Sequence, residues 1–112
     1  MKQKIENDIL ILELSNEEIS FENVNNILKD NTFLEYNIII DVTNNEITEE
    51  EIDVLTYFSE MFRSETDLSF IAVIPEYSEE DFSEILSICP TLQEAYDIIE
   101  MENIERDLLK NE

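Results

Sequence analysis

The segment Ile38-Ile39-Ile40-Asp41-Val42-Thr43-Asn44-Asn45-Glu46-Ile47-Thr48-Glu49-Glu50-Glu51-Ile52 decides the fold. It opens on a β-branched apolar run broken by one acid, which predicts a short strand buried on both faces. An acidic, Asn-rich loop follows. From Thr48 the period becomes helical. Thr48 as N-cap and Glu51 three residues on make a capping box, with Ile47 and Ile52 at the staple positions. Glu49 and Glu50 lie in the first turn, where the macrodipole favours acids. Ile52, Leu55, Ser59 and Phe62 then mark one face, Phe58 and Met61 flank it, and Arg63 closes the helix. In open α/β sheets, function sits where such a strand ends and its helix begins.

Upstream, Lys4-Ile5-Glu6 and Ile9-Leu10-Ile11-Leu12-Glu13-Leu14 read as a hairpin across Asn7-Asp8. The chain has no glycine, so its bends fall to asparagines, which tolerate positive φ better than most residues. Asn7, Asn31, Asn37, Asn44 and Asn45 are the expected places. A first helix starts at Ser20 with Phe21, Val24, Ile27 and Leu28 at helical spacing, and Asn31 to Asn37 is a connector. Downstream, Ser69 to Ile74 reads as a second buried strand stopped by Pro75. Ser78-Glu79-Glu80-Asp81 repeats the capped helix start, with Phe82, Ile85 and Leu86 apolar. Ile88-Cys89 is a brief last strand. Thr91 and Glu94 form another capping box, opening a C-terminal helix through Ala95, Ile98, Ile99, Ile104 and Leu108. The order β-β-α-β-α-β-α-β-α over residues 1–112 is a single α/β domain with a mixed, mostly parallel sheet and helices packed on it.

Charge narrows the partners. Six basic residues stand against 29 acidic ones, a formal −23 with no histidine. Phosphate backbones and anionic membranes are bound by Lys and Arg, so neither nucleic acid nor membrane is an expected partner. A protein with a basic surface is, its approach electrostatically steered, the alternative being that the charge serves solubility alone. One cysteine forms no internal disulfide and suits a reducing, cytoplasmic compartment. Residues Met1 to Asp8 carry no apolar leader, and no apolar run approaches the ~20 residues that span a bilayer.

In this order of elements, and in several residues, the chain resembles the STAS domain family, named for sulfate transporters and anti-sigma-factor antagonists. Asp41-Val42-Thr43 stands where that family has Asp-Leu-Ser, and Thr48-Glu49-Glu50-Glu51-Ile52, with one deletion, where it has Asp-Ser-Ser-Gly-Leu. Pro90-Thr91-Leu92-Gln93-Glu94-Ala95 looks like its opening of the last helix. The likeness covers almost the whole chain, and the tail is similar to that of small bacterial STAS-like proteins, some labelled ribonuclease Z. That label fails here, because ribonuclease Z holds two zinc ions through a histidine-rich motif. The resemblance implies a regulatory, protein-binding module rather than an enzyme. In the anti-sigma antagonists a partner kinase phosphorylates a serine at the helix start. Here the matching position is Glu50 or a neighbouring glutamate, and the following glycine is missing. The site is therefore either permanently phospho-like or merely a well-capped helix start. The second is expected, with Thr43 and Thr48 as the hydroxyls that could still accept phosphate.

Candidate partner-binding residues are therefore Thr43, Asn44, Asn45, Glu46, Thr48, Glu49 and Glu50, with Asp41, Thr43, Glu50 and Ile52 as the family-motif matches. No catalytic residue, metal or cofactor is expected. Zero glycine removes phosphate-cradling loops, and zero histidine removes the commonest general base. Asp41, Thr43, Asn45 and Glu49 fall at calcium-loop offsets, but Glu46 replaces the required glycine and Ile52 the bidentate glutamate. Cys89, among Ile85, Leu86 and Ile88, is expected to be buried and inert. Phe33, Tyr36, Phe58, Phe62, Phe70, Phe82 and Tyr96 read as core, and Tyr77 as the most exposed aromatic.

The alternative is a carboxylate-based enzyme or an accessory subunit, with acid pairs such as Asp8 and Glu13 or Glu79 and Asp81. A cleft holding two close acids, one with a raised pKa, marks that reading. A shallow convex surface around Asn44 to Glu50, with no enclosed pocket, marks the module. A homodimer through Met101, Ile104, Leu108 and Leu109 of the last helix is also open.

Overall fold

Ile38, Ile39 and Ile40 lie fully buried in the middle strand of a five-stranded sheet. A computed structural model describes residues 2–29, 31–42, 47–75 and 86–110. Among these, the strands are β1 (Lys2–Glu6), β2 (Ile9–Leu14), β3 (Asn37–Val42), β4 (Phe70–Val73) and β5 (Ser87–Cys89). The helices are α1 (Phe21–Leu28), α2 (Glu49–Glu65) and α3 (Leu92–Lys110), with 3-10 turns at Asn16–Glu18 and Asn31–Glu35. The helix expected from Ser78, Glu79 and Asp81 through Phe82 and Ile85, together with Tyr77, lies outside the described residues.

The strands stand in sequence order, β1-β2-β3-β4-β5. β1 pairs antiparallel with β2, and the other three pairings are parallel. The turn between β1 and β2 passes through Asn7 at φ 55°, the left-handed region that asparagine enters at least cost. Asn31 and Asn37 do not follow this pattern, since Asn7 alone among the described residues has positive φ, and Asn44 and Asn45 lie outside those residues. Asn31 belongs to a 3-10 turn, while Asn37 enters β3 and is buried there.

Strand alternation sorts the apolar residues into two layers. Leu10, Leu12, Leu14, Ile38, Ile40, Val42, Phe70, Ala72 and Ile74 face α1 and α2, where Val24, Ile52, Leu55, Phe58 and Phe62 meet them. Ile9, Ile11, Ile39, Ile71, Val73 and Cys89 face α3 and its Ala95 and Ile99. This double cover is why β2, β3 and β4 read as nearly continuous apolar runs. Full burial of one side chain such as Phe58 contributes about 1.5–3 kcal/mol.

Helix α3 starts beyond β5 and is held near its far end by polar groups. Asn37 Oδ1 accepts the Ser69 backbone N–H at 2.8 Å and an Arg106 guanidinium N–H at 3.4 Å. The Asn37 amide donates to Asp8 Oδ2 at 3.1 Å, and the Ser69 hydroxyl donates to Glu102 at 2.6 Å. Asn103 also accepts from Arg106. These bonds satisfy buried groups at the amino ends of β3 and β4 and fix where α3 lies.

Candidate functional site

The carboxyl ends of β2 and β3 deliver the chain to two capping boxes that share a bond. At the start of α2, Thr48 Oγ1 accepts the Glu51 N–H at 3.2 Å, and Glu51 Oε1 accepts the Thr48 N–H at 2.8 Å. After β2, Glu18 Oε1 accepts the Ser15 N–H at 3.0 Å within a 3-10 turn. Glu51 Oε1 also accepts the Asn16 amide N–H at 3.1 Å, tying that turn to α2. Ile52 is buried and Ile47 packs on the same core, as the staple reading requires. With Glu51 committed to the cap, Thr48, Glu49 and Glu50 are left exposed. Thr43, Asn44, Asn45 and Glu46, the other candidate residues, lie outside the described residues.

The surface beside this helix start is aromatic. Phe21 at the head of α1 is 52% exposed and Tyr57 in the middle of α2 is 47% exposed. Their rings lie 5.1 Å apart, and each packs on the buried Phe58, at 5.3 and 5.1 Å. Met61, one turn on from Tyr57, is also exposed. Glu50, Asp53 and Glu60 share the outward side of α2 with Tyr57 by helical spacing, and all three are exposed. Tyr57 carried no signal in isolation; its meaning depends on Phe21 arriving from another helix.

On the other face of the sheet, Glu13 and Asp41 are neighbours in the parallel ladder of β2 and β3. Burial, and then the Glu13 charge, raise the Asp41 carboxyl above its ordinary pKa. Both line a concavity of about 360 Å³ with Lys2, Gln3, Lys4, Ile11 and Leu92. Glu13 thus pairs with Asp41 and not with Asp8, which sits at the opposite end of β2 against Asn37. The signal was available: Ile9–Leu14 and Asn37–Val42 each place one acid at the fifth of six positions. The pair Glu79 and Asp81 lies outside the described residues.

Cys89 borders the same layer and is buried, its thiol donating to the Thr91 carbonyl at 3.3 Å. Burial, with the Glu94 charge next, pushes that thiol up to about 11. A buried thiol held in its protonated form is a poor nucleophile and a poor metal ligand. Against known proteins, the chain matches no family model, no curated protein and no solved structure.

Of the aromatics expected in the core, Phe58, Phe62 and Phe70 are buried, while Phe33, Tyr36 and Tyr96 are half-buried. A second cavity of about 200 Å³ opens between α1, the 31–35 turn and α2. Its walls are apolar apart from Lys29 and Glu65, so it offers room without converging polar groups. Among the described residues no three metal-ligating side chains come together, and no helix is long and apolar enough to cross a membrane.

Proposed function

We propose that this chain is a non-enzymatic protein-interaction module of the bacterial cytoplasm. It receives a basic protein on the start of α2 and the adjoining outer faces of α1 and α2. One observation carries the reading: the exposed Phe21–Tyr57 pair, bordered by Glu50, Asp53 and Glu60 and continuous with the acid-crowned helix start. Aromatic anchors at the centre of a charged rim are the arrangement that concentrates binding energy in protein interfaces. A net charge of −23 steers a basic partner toward it.

The resemblance to the STAS domain family supports the same reading. Its anti-sigma antagonists meet their partner at the matching helix start. Glu49 and Glu50 here put fixed carboxylates where those proteins place a switchable phosphate, so binding depends on salt and not on a kinase. Affinity capture from host lysate, at low and high salt, tests the module. The expected result is salt-labile recovery of one basic protein by the natural chain and its loss with the Phe21→Ser, Tyr57→Ser variant. Equal recovery by the two proteins, or no specific recovery, counts against it.

A second reading, a carboxylate-based enzyme or an accessory subunit, is favoured by the Glu13–Asp41 pair in its concavity and the raised Asp41 carboxyl. Screening against small esters, glycosides and phosphoesters, with Asp41→Asn as control, separates the two. Turnover that disappears in the variant favours the enzyme. Absence of turnover beside intact partner capture favours the module.

A further inference from the structure

We propose that the outer face of α3 is a second docking surface, on the opposite side of the sheet, and that its occupant is an amphipathic helix with basic flanks. Met101, Ile104 and Leu108 are 62%, 54% and 64% exposed. They follow one another at spacings of three and four, with Asp97 four residues before Met101, so they form the a/d seam of a heptad. The opposite side of α3 is already used: Ala95 and Ile99 are buried against the sheet, and Arg106 donates to Asn37 and Ser69. Among the described residues nothing covers this apolar seam, whose three side chains stay more than half exposed.

The flanks say what covers it. In this register the e and g positions are Ile98, Glu100, Glu105 and Asp107, and the three acids are exposed. These positions choose the partner of a helix pair. A second copy, parallel or antiparallel, would set acid against acid, on top of the repulsion between two chains of −23 each. A helix with leucine-like residues at a and d and Lys or Arg at e and g satisfies both the seam and its rim, and meets Asp97 with a cation at the acidic end. This proposal does not rest on the α1/α2 face, which lies across the sheet.

The test uses a synthetic peptide of about three heptads with Leu at a and d and Lys at e and g. Its controls carry Glu at e and g, or Ser at a and d. Binding to the full chain is followed by fluorescence anisotropy, and oligomeric state by sedimentation. The Lys peptide is expected to bind the natural chain about tenfold or more tightly than the Ile104→Ser, Leu108→Ser variant, whose changes are at exposed positions. Tyr57→Ser should leave that affinity unchanged, which separates this face from the α1/α2 face. Equal binding of the Ser-seam peptide, equal binding by the Ile104/Leu108 variant, or a dimer of the natural chain abolished by that variant would each overturn the proposal.

Discussion

Glu13 and Asp41 stand at the same height on adjacent parallel strands, whose backbones run about 4.8 Å apart, and both lie on the α3 side of the sheet. Neither strand can turn its acid away without also turning its apolar residues out of the core. Burial and this neighbour raise the Asp41 pKa in the folded state. For a group raised on folding, the stability linked to its proton is complete below the unfolded pKa and is lost as pH rises through the folded one. Asp41→Asn should therefore raise the melting temperature at neutral pH, and the gain should shrink to nothing as pH falls below the ordinary aspartate pKa of about 4. Melting curves of both proteins across that window check it. A gain independent of pH would mean the effect is not ionisation.

Ser59 is buried on α2, and among the described residues its hydroxyl has no hydrogen-bond partner. A small residue suits that position in the α2 layer, but the hydroxyl adds a desolvation cost of about 1–3 kcal/mol with no compensating bond. Ser59→Ala removes it and improves helix propensity. Chemical denaturation should show a gain of about 1 kcal/mol. A loss of stability would show that the hydroxyl is satisfied in solution.

Asn37 presents the opposite case, a buried polar side chain that serves several partners at once. Asn37→Ala leaves the Ser69 N–H without its acceptor and deprives Arg106 of one of its own. The expected cost is about 2 kcal/mol or more, read from denaturation midpoints. Hydrogen exchange should speed up in the second half of α3 before it does in β3. A change below about 0.5 kcal/mol would contradict the anchoring role given to this network.

Cys89 should resist thiol reagents in the native state and react at the unfolded rate only when denaturant is added. Its folded pKa of about 11 lies above the free thiol's, so neutral pH finds the same protonated form in both states. A penalty on folding appears only as pH climbs past the unfolded thiol pKa, about 8.5. Rapid native labelling at neutral pH would refute the burial of this side chain.

Thr48→Ala should lower stability by about 1 kcal/mol, since Thr48 Oγ1 holds the Glu51 N–H at the start of α2. An unchanged unfolding curve would contradict the cap.

The local chemistry of this chain was readable in advance. The caps at Ser20, Thr48 and Thr91, the Asn7 turn and the buried run at Ile38 all rest on neighbours within four residues, and each stands where the sequence puts it. What sequence reasoning missed are meetings between distant segments. Asn37 reads as a turn residue by composition, yet its burial depends on Asp8, Ser69 and Arg106 arriving from three other elements. Tyr57 reads as one more polar-side residue of α2 until Phe21 is set against it. Glu13 reads along the chain as a partner for Asp8, whereas the parallel register sets it against Asp41. The exposed stripe of α3 was legible because 19 residues make a helix of ~28 Å, longer than the ~20 Å of a six-residue strand beneath it.

The interaction-module reading is tested most directly by amide chemical shifts of the labelled chain, titrated with the basic protein captured from its host. The expected result is a set of shifts centred on Phe21, Glu50, Asp53, Tyr57 and Met61 that weakens as salt is added. Shifts confined to Lys2, Lys4, Glu13 and Asp41, with the α1/α2 face silent, would contradict it.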